Sequence, residues 1–223
     1  MTRSALFSIL LAAATAAPAH AAESDFQAWG AATATIPVSD RLVVWLEAQG
    51  RFSDDAGRLG QLLLRPGVGV KLDPTTTAFL GYAYVRTDPV GRARTHEHRI
   101  WQQLSFRAMG DGKGLTVTGR TRFEQRFVEG SSDMGLRLRQ LLRLTAPLAG
   151  PVRAVGWAEG FVALDDTRWG QRSGLDRVRG FAGVAFPVSK TISLEPGYLG
   201  EHVRRPGQDR MNHIASLTLN AVF

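Results

Sequence analysis

Thr118–Val128, "TGRTRFEQRFV", places Arg120, Arg122, Glu124 and Arg126 at every second position, with Gly119, Thr121, Phe123, Gln125 and Phe127 between them. Successive side chains of a strand point to opposite faces. As extended chain, this stretch therefore has one charged face and one that ends in large apolar residues. In a soluble sheet the charges would meet water and the apolar face a core. In a membrane barrel the arrangement inverts, with lipid outside and charge inside.

The amino terminus chooses between these. Met1–Ala21 opens with Arg3, continues through "ALFSILLAAATAA" and ends in Ala19-His20-Ala21, small residues at both positions an export peptidase requires. This predicts a signal peptide over residues 1–21, cleaved before Ala22. The apolar run is shorter than the ~20 residues a spanning helix needs, and no second long apolar run follows. Composition bounds the remaining residues 22–223 to one domain of about 200 residues. The chain has no cysteine, which excludes a disulfide scaffold and thiol chemistry. Loss of Arg3 takes the formal net charge from +7 to about +6. An exported basic chain has little access to nucleic acid, so lipopolysaccharide, outer-membrane lipid and small anionic solutes are the partners to expect.

Alternating segments recur along the chain, each closed by turn residues. They run Phe26–Ile36, Arg41–Phe52, Gln61–Leu72, Thr76–Arg86, Glu97–Met109, Leu115–Val128, Leu136–Ala146, Val152–Leu164, Leu175–Phe186, Thr191–Val203 and Asn212–Phe223. Short connections ("PVSD", "DPTT", "GDGKG", "LAGP", "PVSK") alternate with longer polar ones ("SDDAGRLG", "TDPVGRART", "EGSSD", "DDTRWGQRSG", "RRPGQDR"). Short periplasmic turns and longer external loops give this rhythm. The last segment carries Ala215, Leu217, Leu219 and Ala221 in one phase and ends in Phe223. That resembles the terminal strand by which the barrel-assembly machinery recognises its clients, although the aromatic residue two positions earlier is missing. The fold expected is all-β, a transmembrane antiparallel up-and-down barrel. Bacterial single-chain barrels have even strand numbers, so the eleven segments predict twelve strands with one hidden near the amino terminus, or ten with one segment demoted.

The ordered series "RPGVGVKL", "FLGYAYV", "EHRIWQQLSF", "GRTRFEQRF", "RLRQLLRL", "WAEGFVAL", "LDRVRGFAGVAF", "EPGYLGEHV" and "NHIASLTLNAVF" resembles a proteobacterial family of outer-membrane β-barrels described only as a domain of unknown function. The resemblance spans essentially the whole chain after the leader. Glu97-His98-Arg99 stands where such proteins usually show Glu-Asn-Arg. It implies a fold and the outer membrane of a Gram-negative bacterium, but no catalytic residue.

The inward face must then carry the function. Its charged phase holds Glu47, Arg51, Arg65, Lys71, Glu97, Arg99, Arg107, Arg120, Arg122, Glu124, Arg126, Arg137, Arg139, Arg143, Arg153, Glu159, Arg177, Arg179, Glu195 and Glu201. Each Arg or Lys facing lipid near the midplane would cost up to about 2–4 kcal/mol, so the phase points inward. Arg99, Arg107, Arg120, Arg122, Arg126, Arg137, Arg139, Arg143, Arg177 and Arg179 are the candidate pore-lining or anion-binding residues. Glu47, Glu97, Glu124, Glu159 and Glu195 are the candidate lumen carboxylates, and Phe223 is the candidate assembly signal. Two readings fit: a porin-like pore or passive binding barrel for small anions, and a non-conducting barrel whose Arg and Glu fill one another's space.

A lipid-modifying enzyme is a third, weaker reading. His213 and Ser216 have opposite parity, so the "NHIAS" stretch does not bring a nucleophile to a base. His96 and His98 share a face at a spacing a metal could use, but a polar strand entrance explains them more simply. The expectation is no enzyme, no metal and no cofactor. Trp45, Trp101 and Trp157 fall in the charged phase, where they could stack on sugar rings or Arg planes; Tyr82, Tyr84, Phe186 and Tyr198 are girdle candidates. "GVGV" at Gly67–Val70 lies within a strand, where its glycines bend the wall or admit a large neighbour.

Overall fold

A computed structural model describes residues 23–223, and the leader predicted over 1–21 lies outside the described residues. The described chain forms eleven strands: β1 (Glu23–Pro37), β2 (Leu42–Ser53), β3 (Arg58–Lys71), β4 (Thr76–Thr87), β5 (Thr95–Met109), β6 (Thr116–Val128), β7 (Met134–Ala149), β8 (Val152–Ala163), β9 (Gly174–Pro187), β10 (Ile192–Val203) and β11 (Arg210–Val222). Each pairs antiparallel with its sequence neighbour, and a parallel β1–β11 ladder from Glu23↔Arg210 to Thr35↔Val222 closes the barrel.

That ladder corrects the strand count. Neither twelve nor ten is found, because a meander of odd number brings its first and last strands together pointing the same way, and a parallel ladder can still satisfy both edges. No hidden strand is needed. The start of β1 lies beside the start of β11, at the end of the barrel that carries the longer loops.

The loop rhythm is milder than the sequence suggested, because strands extend into the polar stretches. "SDDAGRLG" is reduced to a turn over 54–57, with Asp54, Asp55 and Ala56 all at positive φ (60°, 53° and 59°). The turn is pinned by Ala56 N donating to the Phe26 carbonyl at 3.1 Å and by Asp55 N donating to Asp25 Oδ1 at 3.3 Å. At the same end the β8–β9 connection over 164–173 is the longest, and it folds against the β6–β7 loop.

The pleat then sorts the side chains. Leu46, Leu64, Val68, Leu80, Ile100, Leu104, Phe127, Leu138, Leu142, Tyr198 and Leu217 stand on the outer wall and are exposed. The inner wall buries Arg122, Glu124, Arg137, Arg139, Glu159 and Glu201 together with Trp101, Phe161 and Leu199. This distribution is the reverse of a water-soluble sheet. Among the described residues no helix is long and apolar enough to cross a membrane, which says nothing about a barrel.

Candidate functional site: an arginine and carboxylate lumen

Eleven strands enclose more width than the roughly eight whose side chains can just fill a barrel. Long arginines reach across that space. At the waist, Glu124 is fully buried and accepts from Arg137 Nε at 3.0 Å, Arg137 Nη2 at 2.5 Å and Arg139 Nη1 at 2.8 Å. Arg139 also donates to Glu159 through Nε at 3.0 Å and Nη2 at 2.8 Å, and Arg120 reaches the same oxygen at 2.7 Å. One guanidinium thus bridges two carboxylates, making a continuous chain from Arg137 to Arg120.

Further pairs flank the chain. Glu97 holds Arg99 at 2.8 Å and Arg126 at 2.6 Å; Glu47 holds Arg65 at 2.8 Å; Arg143 pairs with Glu195. Glu201 accepts from Arg179 at 2.5 Å, Arg177 at 3.3 Å and Asn212 at 2.9 Å. Aromatic rings separate and orient the cations. Phe161 has the guanidinium carbons of Arg137, Arg139, Arg177 and Arg179 between 4.4 and 5.6 Å from its centroid.

Two guanidinium groups escape this pairing. Arg122 is fully buried, donates Nε to Gln103 at 2.7 Å, and lies 4.8 Å from the Trp101 ring and 5.6 Å from that of Trp45. Among the described residues its nearest carboxylate oxygen, on Glu124, is 3.9 Å away, and neither terminal nitrogen has a hydrogen-bond partner. Arg51 is held by amide oxygens alone, from Gln61 at 2.7 Å and Gln49 at 2.7 Å, and lies 4.0 Å over the Trp29 ring.

Two cavities of about 240 Å³ each lie along the lumen. The vestibule, toward the longer loops, is lined by Arg51, Arg65, Arg99, Arg126, Arg137, Arg139, Arg177 and Arg179, with Glu97 the one carboxylate. The inner chamber, toward the short turns, mixes Trp29, Trp45 and Trp157 with Glu47, Glu159, Glu195 and the polar row Ser216, Thr218 and Asn220. Arg51, Arg65, Arg139 and Arg179 line both, and so form the neck between them.

The β8–β9 loop covers part of the vestibule. Trp169 stacks 4.8 Å from the Arg126 guanidinium and donates Nε1 to the Asp133 carbonyl at 3.2 Å; Gln171 accepts from Arg126 Nη1 at 2.8 Å. Arg168 clamps Asp133 through Nε at 3.0 Å and Nη2 at 2.6 Å. Those bonds hold the Asp133 carboxyl below its ordinary range.

Arg99, Arg120, Arg122, Arg126, Arg137, Arg139, Arg143, Arg177 and Arg179 lie in the lumen, as do Glu47, Glu97, Glu124, Glu159 and Glu195. Arg107 is separate: it is exposed near the short turns and lines neither cavity. Phe223 is exposed, its backbone N donating to Thr35 at 3.1 Å. Arg51, Arg65 and Glu201 were legible as inward charges but not singled out, since strand phase does not tell which charges lack a partner. Phe161 has the same phase. Trp169 sits in a loop and carried no periodic signal.

Trp45 and Trp101 meet edge to face at 5.7 Å, while Trp157 stacks on Phe181. Gly67 and Gly81 are the notches that admit Trp101, since a Cβ there would come within 2.5 and 2.2 Å of its ring. Gly69 does the same for Phe79. The histidines face the other way: His98 bonds Tyr82, His96 bonds Tyr84 and His213 bonds Tyr198 on the outer wall, whereas Ser216 lines the inner chamber. Among the described residues no group of three or more His, Cys, Asp or Glu is placed to hold a metal ion.

The sequence profile of a family described as "Protein of unknown function (DUF2490)" matches residues 26–212. An uncharacterized protein of Methylorubrum extorquens is 38% identical over 222 residues, covering 98% of this chain and 96% of the relative. The profile match spans β2 to β10, most of β1 and the first residues of β11, while the match to the relative covers nearly the whole chain.

Proposed function

Since the chain belongs to the DUF2490 family, whose description assigns no reaction, we propose from the lumen itself that the protein is an outer-membrane barrel that takes small anionic solutes into its arginine-lined interior. The observation that carries this is the vestibule, where eight arginines and a single carboxylate line one cavity. Aligned guanidinium groups recognise carboxylate and phosphate through paired hydrogen bonds and repel cations. The apolar outer wall supports the membrane setting, and strands of 12 to 16 residues exceed the ~9–11 that cross a bilayer. The leader-like residues 1–21 and the terminal strand ending in Phe223 fit export and insertion by the barrel-assembly machinery.

The neck argues for binding over free flow. Arg139 is tied to both Glu124 and Glu159, and Arg65 to Glu47, so the lumen narrows through side chains already held in place. A second reading, a non-conducting structural barrel, is favoured by the fully buried Glu124 chain alone. It leaves the excess of arginine at the vestibule without a use.

Planar-bilayer recording under a salt gradient, with titration of small anions by thermal melting in micelles, separates the two. The proposal expects sparse, small, anion-preferring currents and a melting point raised by multivalent anions. Cation-preferring current, or no response to any anion in either assay, would overturn it.

A further inference from the structure

Arg51 differs from every other arginine of the neck. Arg65, Arg139 and Arg179 each hydrogen-bond a carboxylate, whereas Arg51 carries no ion pair among the described residues. It nevertheless lines both cavities, and its guanidinium carbon lies 4.0 Å from the centroid of the Trp29 ring. Arg179 lies 4.9 Å from the centroid of the same ring, so both cations contact one aromatic side chain. Arg177 joins them through Glu201, which it shares with Arg179. Around this trio the buried carboxylate is Glu201, with half-exposed Asp176 serving Arg177. One positive charge is left over, and it belongs to Arg51.

Like charges gathered in a partly dry space repel one another, and a ligand of opposite sign relieves that repulsion. Amide oxygens are weaker acceptors for a guanidinium than an anion is. Gln61 passes its own Nε2 to Thr87 at 2.7 Å, so an amide and a hydroxyl stand beside Arg51 as additional polar partners in the vestibule. Arg51 comes from β2 and Arg177 and Arg179 from β9, strands separated by β1, β11 and β10 around the barrel. Donors that converge from separate walls match the several oxygen directions of a tetrahedral anion better than a single carboxylate plane.

We propose that Arg51, with Arg177 and Arg179, forms a binding site for a phosphate group at the floor of the vestibule, and that Arg51 is the residue that sets its affinity. The proposal rests on the anion-binding reading above and gives it a position and a chemical class. A bound phosphate displaces the Gln49 and Gln61 oxygens from Arg51. It then shields the neck cations from one another, and the group can be free phosphate or the head of a monoester.

Calorimetric titration of inorganic phosphate into the purified full-length barrel in micelles, in chloride buffer, tests this. Methyl phosphate is titrated in parallel as the monoester. The wild type should bind inorganic phosphate, and binding of methyl phosphate as well would extend the site to monoesters. Arg51→Gln should weaken phosphate by about tenfold or more, the loss of one charge-assisted hydrogen-bond set. Arg51→Lys should fall between, since it keeps the charge without the planar fork. Arg126→Gln, at the loop side of the vestibule, should change affinity less than Arg51→Gln, with folding of each variant read from its circular dichroism. Phosphate affinity unchanged in Arg51→Gln, or absent from the wild type while anion preference persists in bilayers, overturns the site and leaves the broader reading standing. Absence of both phosphate binding and anion preference overturns that reading too.

Discussion

The waist around Glu124 and the neck around Arg51 are made of the same kinds of side chain, yet they present opposite electrostatics. Glu124 gathers Arg137 and Arg139 by hydrogen bonds, with Arg99 at 4.0 Å, and has no exposed surface. Arg51 has amides and a ring for company and lines two cavities. The sign of a lumen is set by its composition, but its field at any level is set by which cations have a carboxylate within reach. A count of charges along the strands cannot distinguish the two places.

The largest effect should come from breaking the waist. Glu124→Gln keeps the volume and removes the charge, so Arg137 loses its only carboxylate partner within hydrogen-bond distance among the described residues. Arg139 retains Glu159. Stranding buried cations in this way typically costs about 3–5 kcal/mol. Urea unfolding of the refolded barrel in micelles would measure it. A loss below about 1 kcal/mol would mean that the waist is wet, because water can replace a missing partner only where it enters.

Arg122 gives the opposite test inside the same lumen. Both terminal nitrogens are buried and unpartnered, and an unsatisfied buried donor costs about 1–3 kcal/mol. Arg122→Met fills similar space between Trp45 and Trp101 without those donors, so stability should rise by about 1–3 kcal/mol in the same assay. If stability instead falls by that amount, the Trp101 and Trp45 faces and Gln103 hold the cation more firmly than its missing hydrogen bonds cost.

Much of this pattern is legible in the amino-acid sequence. The alternation in Thr118–Val128 placed Arg120, Arg122, Glu124 and Arg126 on one face because a pleat has a strict period of two, and Trp45, Trp101 and Trp157 followed the same parity. The glycines of "GVGV" were legible as notches but not as the seat of Trp101, which depends on β4 standing next to β3 and β5 next to β4. The parallel β1–β11 closure was missed although eleven segments were legible, because the even strand number usual in bacterial single-chain barrels argued against an odd count. Pairing within the lumen was hidden for a different reason. Arg120 and Glu159 meet across 39 positions of sequence, and Arg143 and Glu195 across 52, so only the closed ring decides which arginine is left over.

The neck is also braced from its rim, with a smaller expected effect. Arg51 lies just before the turn over 54–57, where three successive residues other than glycine sit at positive φ. Left-handed backbone costs an L-residue about 1–2 kcal/mol, and glycine escapes that strain but loses more entropy on folding. Ala56→Gly should therefore stabilise by a few tenths up to about 1 kcal/mol. It should leave phosphate affinity unchanged if Arg51 is held by Gln49, Gln61 and Trp29, and alter it if the turn positions the guanidinium.

The smallest effect contrasts a loop carboxylate with Glu124 in the waist. Asp133 is a half-buried loop residue paired with the exposed Arg168, and hydrogen bonds from Arg168 lower the Asp133 pKa from 3.8. A depressed carboxyl contributes its stabilisation in full above the unfolded-state pKa and loses it as pH falls through the folded one. The clamp should hold at neutral pH and release only in acid below 3.8. Trp169, which donates to the Asp133 carbonyl and stacks on Arg126, reports the release. In a barrel with Trp169 as the sole tryptophan altered between paired samples, the difference fluorescence should be flat from pH 7 to about 4 and change below that. Asp133→Asn should remove the acid step while leaving urea stability nearly untouched, because a surface pair is screened and worth little to the fold. An acid step that survives Asp133→Asn would place the titrating group deeper, among the Glu97 pairs of the vestibule, and would make the loop a reporter of the lumen through Arg126.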